Sequence, residues 1–165
     1  MGRQIIFKVG IIGCGLIGCK RAESLGFRGN LIACADTNIN NAKKIAPNKK
    51  VKIYSSWKKL LQVKEIDLII ISTFHNQLGK ILLEAYKRNK HILVEKPGAK
   101  NFAEIKKIIS KIKGGKNKIR IGYNHRYHPS IIKAQEIIKS GGIGKIMYLR
   151  GRYGHGGRLK YENEW

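Results

Sequence analysis

Three glycines near the start of the chain constrain its fold more than any other feature. An apolar run over residues 5–12 leads into the spacing Gly13-x-Gly15-x-x-Gly18, and helix-forming residues follow as far as Leu25. This order predicts a strand, a tight turn and a helix. Gly13 would permit the turn, Gly15 would let a ligand approach the backbone, and Gly18 would let helix and strand pack closely. A pyrophosphate would fit at the helix amino terminus, where N–H groups and roughly half a positive charge face it.

A carboxylate extends this pattern. A second apolar run, residues 30–35, ends at Asp36, which lies eighteen residues after Gly18. In dinucleotide-binding folds an acid at about this distance accepts hydrogen bonds from the adenosine ribose hydroxyls. Strand, glycines and acid in this order therefore predict dinucleotide binding. The alternative is that Asp36 only caps the next helix, since Asp-Thr-Asn is a common helix start.

The rest of the chain alternates short apolar runs with longer amphipathic stretches. Strands are predicted at residues 5–12, 31–35, 51–54, 68–71, 92–94, 119–123 and 146–153, and helices at residues 15–25, 38–45, 56–62, 77–88, 103–113 and 129–140. This alternation implies right-handed crossovers, a parallel sheet and helices on both faces. Residues 68–71 are apolar without alternation, as expected for a strand buried on both faces. The predicted fold class is α/β, a doubly wound parallel sheet of the Rossmann type.

The last part of the chain departs from this pattern. Residues 146–153 alternate polar and apolar side chains, which suits an open sheet with one face in water. A single strand cannot form a sheet, so this strand would need a partner strand or the edge of another chain. The sequence therefore predicts a dinucleotide-binding Rossmann domain over residues 1–123. Residues 124–165 would be the truncated start of an α+β domain for substrate binding or oligomerisation.

Charge and cysteine content bear on partners and on location. The chain has 165 residues, with 34 lysines and arginines against 10 acidic residues and a net charge of +24. The lysines are spread along the whole chain and lack an aromatic stacking platform, so nucleic-acid binding is only a minor alternative. No apolar run reaches the ~18 residues that a membrane span needs. Cys14, Cys19 and Cys34 have no metal-ligand spacing and no disulfide framework, which indicates reduced thiols, no metal and a cytoplasmic protein.

Four motifs follow one another along the chain. They begin at Val9, Ile71, His91 and Gly122 and read VGIIGCGLIG, ISTFHN, HILVEKP and GYNHRYHP. Together they resemble the Gfo/Idh/MocA family, the relatives of glucose–fructose oxidoreductase and inositol dehydrogenase. The EKP triplet is the most specific part, and residues 154–158 with 164–165 add a weaker similarity. The resemblance covers essentially the whole chain and implies a dehydrogenase that acts on hydroxyl or carbonyl groups of sugars or polyols.

The resemblance also implies a role for each matched position. The cofactor would be NAD rather than NADP, because a 2′-phosphate would meet the negative charge of Asp36. Lys96 would stand at the reaction centre, where its ammonium stabilises developing negative charge and helps to move a proton. The other implied cofactor contacts are Gly13, Gly15, Leu16, Ile17, Gly18, Ser72, Thr73, Asn76, Glu95 and Asn124, with Lys96 among them. The substrate would be a small sugar or polyol, and a homo-oligomer is a candidate assembly.

The chain departs from the family pattern in several places. Phe74 stands where many relatives have proline, and Leu78 where many have histidine; Pro97 is a candidate for a cis peptide bond. The family's second half supplies an Asp, a His and most of the substrate pocket, and these are absent from this sequence. We therefore expect little or no turnover by this chain alone. The alternative function is a non-catalytic dinucleotide-binding module that senses redox state or docks on a partner.

Overall fold

Strands and helices alternate along the chain, as the pattern of apolar runs predicts. The computed structural model describes residues 5–112, 114–152 and 154. The strands are β1 (Phe7–Ile12), β2 (Gly29–Ala35), β3 (Lys52–Tyr54), β4 (Leu68–Ile71), β5 (His91–Val94) and β6 (Ile119–Ile121). The helices are α1 (Leu16–Glu23), α2 (Ile39–Ile45), α3 (Trp57–Leu60), α4 (His75–Lys87), α5 (Phe102–Lys111) and α6 (Pro129–Lys139). Short 3-10 turns occupy Gly26–Arg28 and Asn124–Tyr127.

The six strands form one parallel sheet. Their order is β3-β2-β1-β4-β5-β6, so β1 lies in the middle and the direction of winding reverses between β1 and β4. In open α/β sheets, ligands bind outside the carboxyl ends of the strands at such a reversal, because the loops on either side lead away in opposite directions. The predicted doubly wound sheet is confirmed, and its topology marks one edge for a site.

Helices cover both faces of the sheet, and the two faces have separate cores. Successive residues of β4 divide between them: Ile69 and Ile71 pack with residues of α3, α4 and α5, whereas Ile70 packs with residues of α1 and α2. A strand enclosed in this way needs apolar side chains on both sides. The absence of alternation over residues 68–71 therefore has a direct physical cause.

The ends of several elements differ from the predicted bounds. β2 begins at Gly29, two residues early, because Gly29 pairs with Phe7 of β1 and the ladder overrides the low strand propensity of glycine. α4 begins at His75 rather than at residue 77. α5 ends at Lys111, while Lys113, the predicted helix end, lies outside the described residues.

The predicted strand at residues 146–153 is wrong over the part that the structure describes. Residues 146–152 have no strand structure, and Tyr153 lies outside the described residues. A strand is stabilised by a neighbouring ladder, and alternation of side chains does not supply one. Residues 155–158 and 164–165, which carry the weaker family similarity, also lie outside the described residues.

The chain divides into two compact units between Gly122 and Tyr123. The first unit contains the sheet and α1 to α5, and the second contains the turn Asn124–Tyr127 and α6. The predicted boundary after residue 123 is one residue away, and the assignment of the units to cofactor and substrate stays a prediction. Among the described residues, no helix combines the length and the apolar character needed to cross a bilayer.

Candidate functional site

The glycine turn after β1 requires glycine at its first position for an internal reason. Gly13 has φ +88°, a left-handed conformation that side chains disfavour. A Cβ atom there would lie 2.5 Å from the carbonyl oxygen of Ser72, which follows β4. The Gly13 N–H donates to the carbonyl of Ala35 at the end of β2. The turn is therefore fitted between the two neighbouring strands of the sheet.

The other two glycines of the motif differ from each other in what surrounds them. A Cβ atom on Gly18 would overlap the carbonyl oxygen of Gly13, so α1 can approach the turn only without a side chain there. A Cβ atom on Gly15 would meet no atom within 4 Å, and Gly15 has an ordinary φ of −71°. Packing within the protein thus accounts for glycine at positions 13 and 18. Glycine at position 15 instead leaves open space outside the turn, which fits a backbone that must accommodate a bound group.

That open space adjoins the amino terminus of α1. Gly15 is the N-cap residue, no side chain caps the helix, and its first turn contains no acidic residue. The leading residues Leu16 and Ile17 are exposed, and the first helical bond runs from the Cys19 N–H to the Gly15 carbonyl. A helix start with this arrangement suits a negatively charged group.

Asp36 follows β2 at the same edge of the sheet. Its Oδ2 accepts from the Cys14 N–H at 2.7 Å, and its Oδ1 accepts from the Asn38 N–H at 2.8 Å. The helix cap is Asn38, whose side chain accepts from the Asn40 N–H, so the capping alternative for Asp36 is wrong. Two backbone amides orient the half-buried carboxylate and leave each oxygen a further lone pair for a ligand hydroxyl.

The polar residues after β4 fall into two groups. The Ser72 hydroxyl donates to the Gly13 carbonyl at 2.7 Å and so joins the end of β4 to the glycine turn. Thr73 is half-buried and Asn76 is exposed in the first turn of α4. Ser72 thus supports the turn from behind, while Asn76 is accessible to a ligand.

Glu95 and Lys96 follow β5. The Glu95 carboxylate, 13% exposed, forms an ion pair with Arg21 of α1, whose Nε donates to Oε1 at 2.6 Å. Lys96 is exposed, and its peptide bond to Pro97 is cis. Burial, and then the Lys96 ammonium, lower the pKa of His75 at the start of α4. The imidazole and the ammonium therefore interact electrostatically at the carboxyl ends of β4 and β5.

Asn124 belongs to the second unit. It begins the 3-10 turn Asn124–Tyr127 and is exposed. The remaining sequence-predicted contacts, from Gly13 to Lys96, all belong to the first unit. The structure therefore groups the glycine turn, Asp36 and the segments after β4 and β5 along one edge of the sheet.

The cysteine at the second position of the turn is not a nucleophile. Cys14 is buried, and its thiol donates to the Ala35 carbonyl at 3.4 Å. A hydrogen bond with the Cys34 thiol and burial raise the pKa of Cys14, which keeps the thiol neutral. The cysteines at positions 14, 19 and 34 are free. Within the ranges that the structure describes, no three His, Cys, Asp or Glu side chains gather as metal ligands.

Sequence reasoning missed Arg21 and the environment of His75. The sequence indicates Arg21 only as one of the helix-forming residues after the glycine turn. A buried glutamate needs a cation nearby. The sequence offers 34 basic residues and does not say which of them is near Glu95. His75 lies within the ISTFHN motif, but the sequence does not show its environment, because its pKa depends on burial and on Lys96.

Comparisons with known proteins agree with this geometry. Inositol 2-dehydrogenase of Rubrobacter xylanophilus is 26% identical over 147 residues, which are 87% of this chain and 42% of that protein. Myo-inositol 2-dehydrogenase of Thermotoga maritima is 25% identical over 146 residues, 87% and 44% of the two chains. The crystal structure of Lactobacillus casei myo-inositol dehydrogenase in complex with NAD(H) and myo-inositol superposes with a TM-score of 0.79 at 27% identity, covering 85% of this chain and 43% of that one.

The chain thus spans less than half the length of the curated relatives it matches. The family model that matches is described as an oxidoreductase family with an NAD-binding Rossmann fold, and it covers residues 7–123. That range contains all six strands and the whole glycine turn. The chain belongs to the Gfo/Idh/MocA family of oxidoreductases.

Proposed function

We propose that this chain binds NAD(H) at the carboxyl edge of its sheet. The pyrophosphate would lie against Gly15, Leu16 and Ile17, and Asp36 would accept hydrogen bonds from the adenosine ribose. The contrast between the three glycines carries the proposal. Gly13 and Gly18 are required by the packing of the turn, whereas a side chain on Gly15 would extend into the space that a ligand would use.

The proposed reaction is oxidation of a polyol hydroxyl, in keeping with the inositol dehydrogenases among the relatives. Bound NAD⁺ supplies the acceptor for the hydride that leaves the carbinol carbon. The hydroxyl proton would be released to solvent, and the exposed Lys96 ammonium would lie beside the hydroxyl oxygen and stabilise the negative charge that develops there. Its place after β5 puts it at the same edge as the glycine turn. The substrate class, the catalytic role of Lys96 and the cytoplasmic location are proposals.

Calorimetric titration with NAD⁺ and with NADP⁺ tests cofactor binding, with Gly15→Val as the decisive variant. We expect wild type to bind NAD⁺ more tightly than NADP⁺, and Gly15→Val to lose at least ~10-fold in affinity while keeping its thermal unfolding midpoint. The matched control is Gly151→Val, since Gly151 in the second unit also has no atom within 4 Å of a Cβ position. The proposal fails if folded wild type gives no binding heat with either nucleotide.

Asp36→Ser separates the ribose contact from the phosphate contact. A serine removes the negative charge, so the ratio of the two dissociation constants should move toward unity, chiefly through weaker binding of NAD⁺. Since the Asp36 carboxylate also accepts from two backbone amides, circular dichroism and thermal unfolding must show that the turn is intact. An unchanged preference for NAD⁺ in a folded variant contradicts the assignment of Asp36.

A further inference from the structure

The Arg21–Glu95 ion pair differs in kind from the others among the described residues. The pairs Glu84 with Lys87, Glu84 with Arg88 and Lys133 with Glu136 each lie within one helical stretch, three or four residues apart. Arg21 and Glu95 are 74 residues apart and join α1 to the segment after β5. Both side chains are also largely withdrawn from water, at 24% and 13% exposure. A pair of this kind resists screening better than a surface pair does.

The backbone of Glu95 is fixed on both sides. Its N–H donates to the Ile71 carbonyl at 2.8 Å, and its carbonyl accepts from the Gly98 N–H at 2.9 Å. Glu95 thus begins a closed turn that contains Lys96. The ion pair adds the side chain as a third point of attachment, so that three contacts hold the residue next to the lysine.

The third element at this junction is the end of β6. A Cβ atom on Gly122 would lie 3.0 Å from a guanidinium nitrogen of Arg21 and 3.2 Å from Glu95 Oε1. A side chain on Gly122 would therefore press against both partners of the ion pair. The arrangement joins the helix that begins at the glycine turn, the turn that carries Lys96, and the last strand of the sheet.

The segment that leads into α4 lies beside the turn that carries Lys96. β4 and β5 are paired with Ile71 opposite Val94, so that the segment leading to His75 and the segment leading to Lys96 emerge side by side. Burial lowers the pKa of His75, and the Lys96 ammonium lowers it further. His75 therefore reports where Lys96 is.

We infer that Arg21 is a positioning residue: through its ion pair with Glu95 it holds Lys96 next to His75 at the carboxyl edge of the sheet. Glu95 then serves to hold the turn rather than to contact the cofactor directly, the role that the family resemblance implies. The ion pair, the backbone bonds of Glu95 and the register of β4 with β5 support this placement of Lys96, and its catalytic meaning rests on the proposed function. In that setting Arg21 couples the phosphate-binding helix to the reacting lysine.

The experiment follows the His75 titration by NMR in the full 165-residue chain. Lys96→Met removes the ammonium and should raise the pKa of His75. The double variant Arg21→Met/Glu95→Gln removes one positive and one negative charge together, so a change in the pKa of His75 reflects movement of Lys96 rather than a change in net charge. We expect the double variant to reproduce most of the rise seen in Lys96→Met. The matched control is Arg88→Met/Glu84→Gln, the exposed pair at the other end of α4, which should leave the pKa unchanged.

The single variant Glu95→Gln decides the matter if the double variant does not fold. Loss of the carboxylate charge would by itself lower the pKa of His75, whereas release of Lys96 would raise it. A rise supports the inference. Adding Lys96→Met to Glu95→Gln separates the two effects, because it should raise the pKa of His75 much less than Lys96→Met does in wild type; an equal rise in both backgrounds, or an unchanged pKa in the folded double variant, overturns the inference.

NADH titration of the same samples keeps this inference separate from the proposed function. If wild type fails to bind NADH, the proposed function fails, while the NMR result still decides whether Arg21 positions Lys96. If wild type binds NADH but the pKa of His75 does not respond to loss of the ion pair, only the positioning role fails. If both hold, we expect the double variant to bind NADH more weakly than the control variant does.

Discussion

Both units of this chain contain apolar residues, but among the described residues only the first unit buries them. Every buried apolar residue that the structure describes lies in the first unit, between Val9 and Ile108. In the second unit, each described residue from Tyr123 onward is exposed, including four isoleucines of α6. Helix α6 nevertheless forms, with Pro129 at its first position, His128 as its cap and Gly141 in the left-handed conformation after its end. Local signals are therefore enough to make a helix, whereas a core needs partners from other elements.

The largest expected difference concerns isoleucine truncation. Ile71→Ala in the core should cost about 2–5 kcal/mol, because it leaves a cavity between the sheet and α4. Ile132→Ala in α6 should change the free energy of unfolding by no more than ~0.5 kcal/mol, since the side chain is 40% exposed. Urea unfolding followed by circular dichroism measures both. Equal losses would mean that the exposed face of α6 is covered in solution, and the contrast between the units would disappear.

The buried lysine of the first unit gives the next largest effect. Lys90 is 9% exposed, and its ammonium donates to the carbonyls of Lys64 at 2.7 Å and of Ile66 at 2.6 Å. Lys90→Met removes the donor from the buried Ile66 carbonyl and from the part-buried Lys64 carbonyl, and should cost about 1–3 kcal/mol. Lys139→Met, an exposed lysine of α6, is the matched control and should be neutral within ~0.5 kcal/mol. If both variants lose equal stability, water satisfies the two carbonyls in place of the ammonium. Lys90 would then not be a structural residue.

This contrast also explains which parts of the fold could be predicted from the sequence. Strands such as β4 are apolar because helices cover both of their faces. Their burial can therefore be predicted from the sequence alone. The alternation over residues 146–153 is typical of a half-buried strand, but residues 146–152 form no strand. Alternation indicates which side chains share a face, but it does not provide the neighbouring strand that a ladder needs. Helix α6 was predictable within a residue since Pro129 and Gly141 act locally.

The candidate site, like the fold, could be predicted from the sequence only in part. Gly13, Gly15, Gly18 and Asp36 are spaced by local geometry, and spacing can be read from a sequence. The spacing also predicts that Gly15 is the glycine left to a ligand, but it does not reveal that the Ser72 carbonyl excludes a side chain at Gly13, because that contact crosses the sheet. The ion pair between Glu95 and Arg21 depends on how α1 packs in three dimensions, and the sequence therefore does not predict it.

Helix caps provide a smaller test of the difference between the units. In α5 the Asn101 side chain accepts from the Glu104 N–H at 2.9 Å, and Glu104 in turn accepts from the Lys100 N–H at 2.8 Å. Asn101→Ala should cost about 1 kcal/mol. In α6 the His128 Nδ1 accepts from the Ser130 N–H at 3.4 Å, a long bond, and His128→Ala should cost only a few tenths of a kcal/mol. Thermal unfolding compares the two, and a larger loss for His128→Ala would show that the second unit depends on its cap more than the first does.

The smallest expected effect is a pH dependence confined to the first unit. Burial and the Lys96 ammonium lower the pKa of His75 from its ordinary value of 6.5. The unfolded chain therefore binds a proton that the folded chain resists, so this contribution to stability is fully present above pH 6.5 and is lost as the pH falls through the folded-state pKa. Wild type should lose stability more steeply than His75→Gln between about pH 7 and about pH 5.

Lys96→Met should flatten the pH profile of wild type toward that of His75→Gln, since it removes one of the two causes of the lowered pKa. Lys100→Met, an exposed lysine four residues further along the chain, is its matched control and should leave the slope unchanged. Urea unfolding at each pH gives the slope directly. If Lys100→Met flattens the profile as much as Lys96→Met does, the field at His75 comes from the general positive charge of the chain. The effect would then belong to the net charge of +24 and not to the carboxyl edge of the sheet.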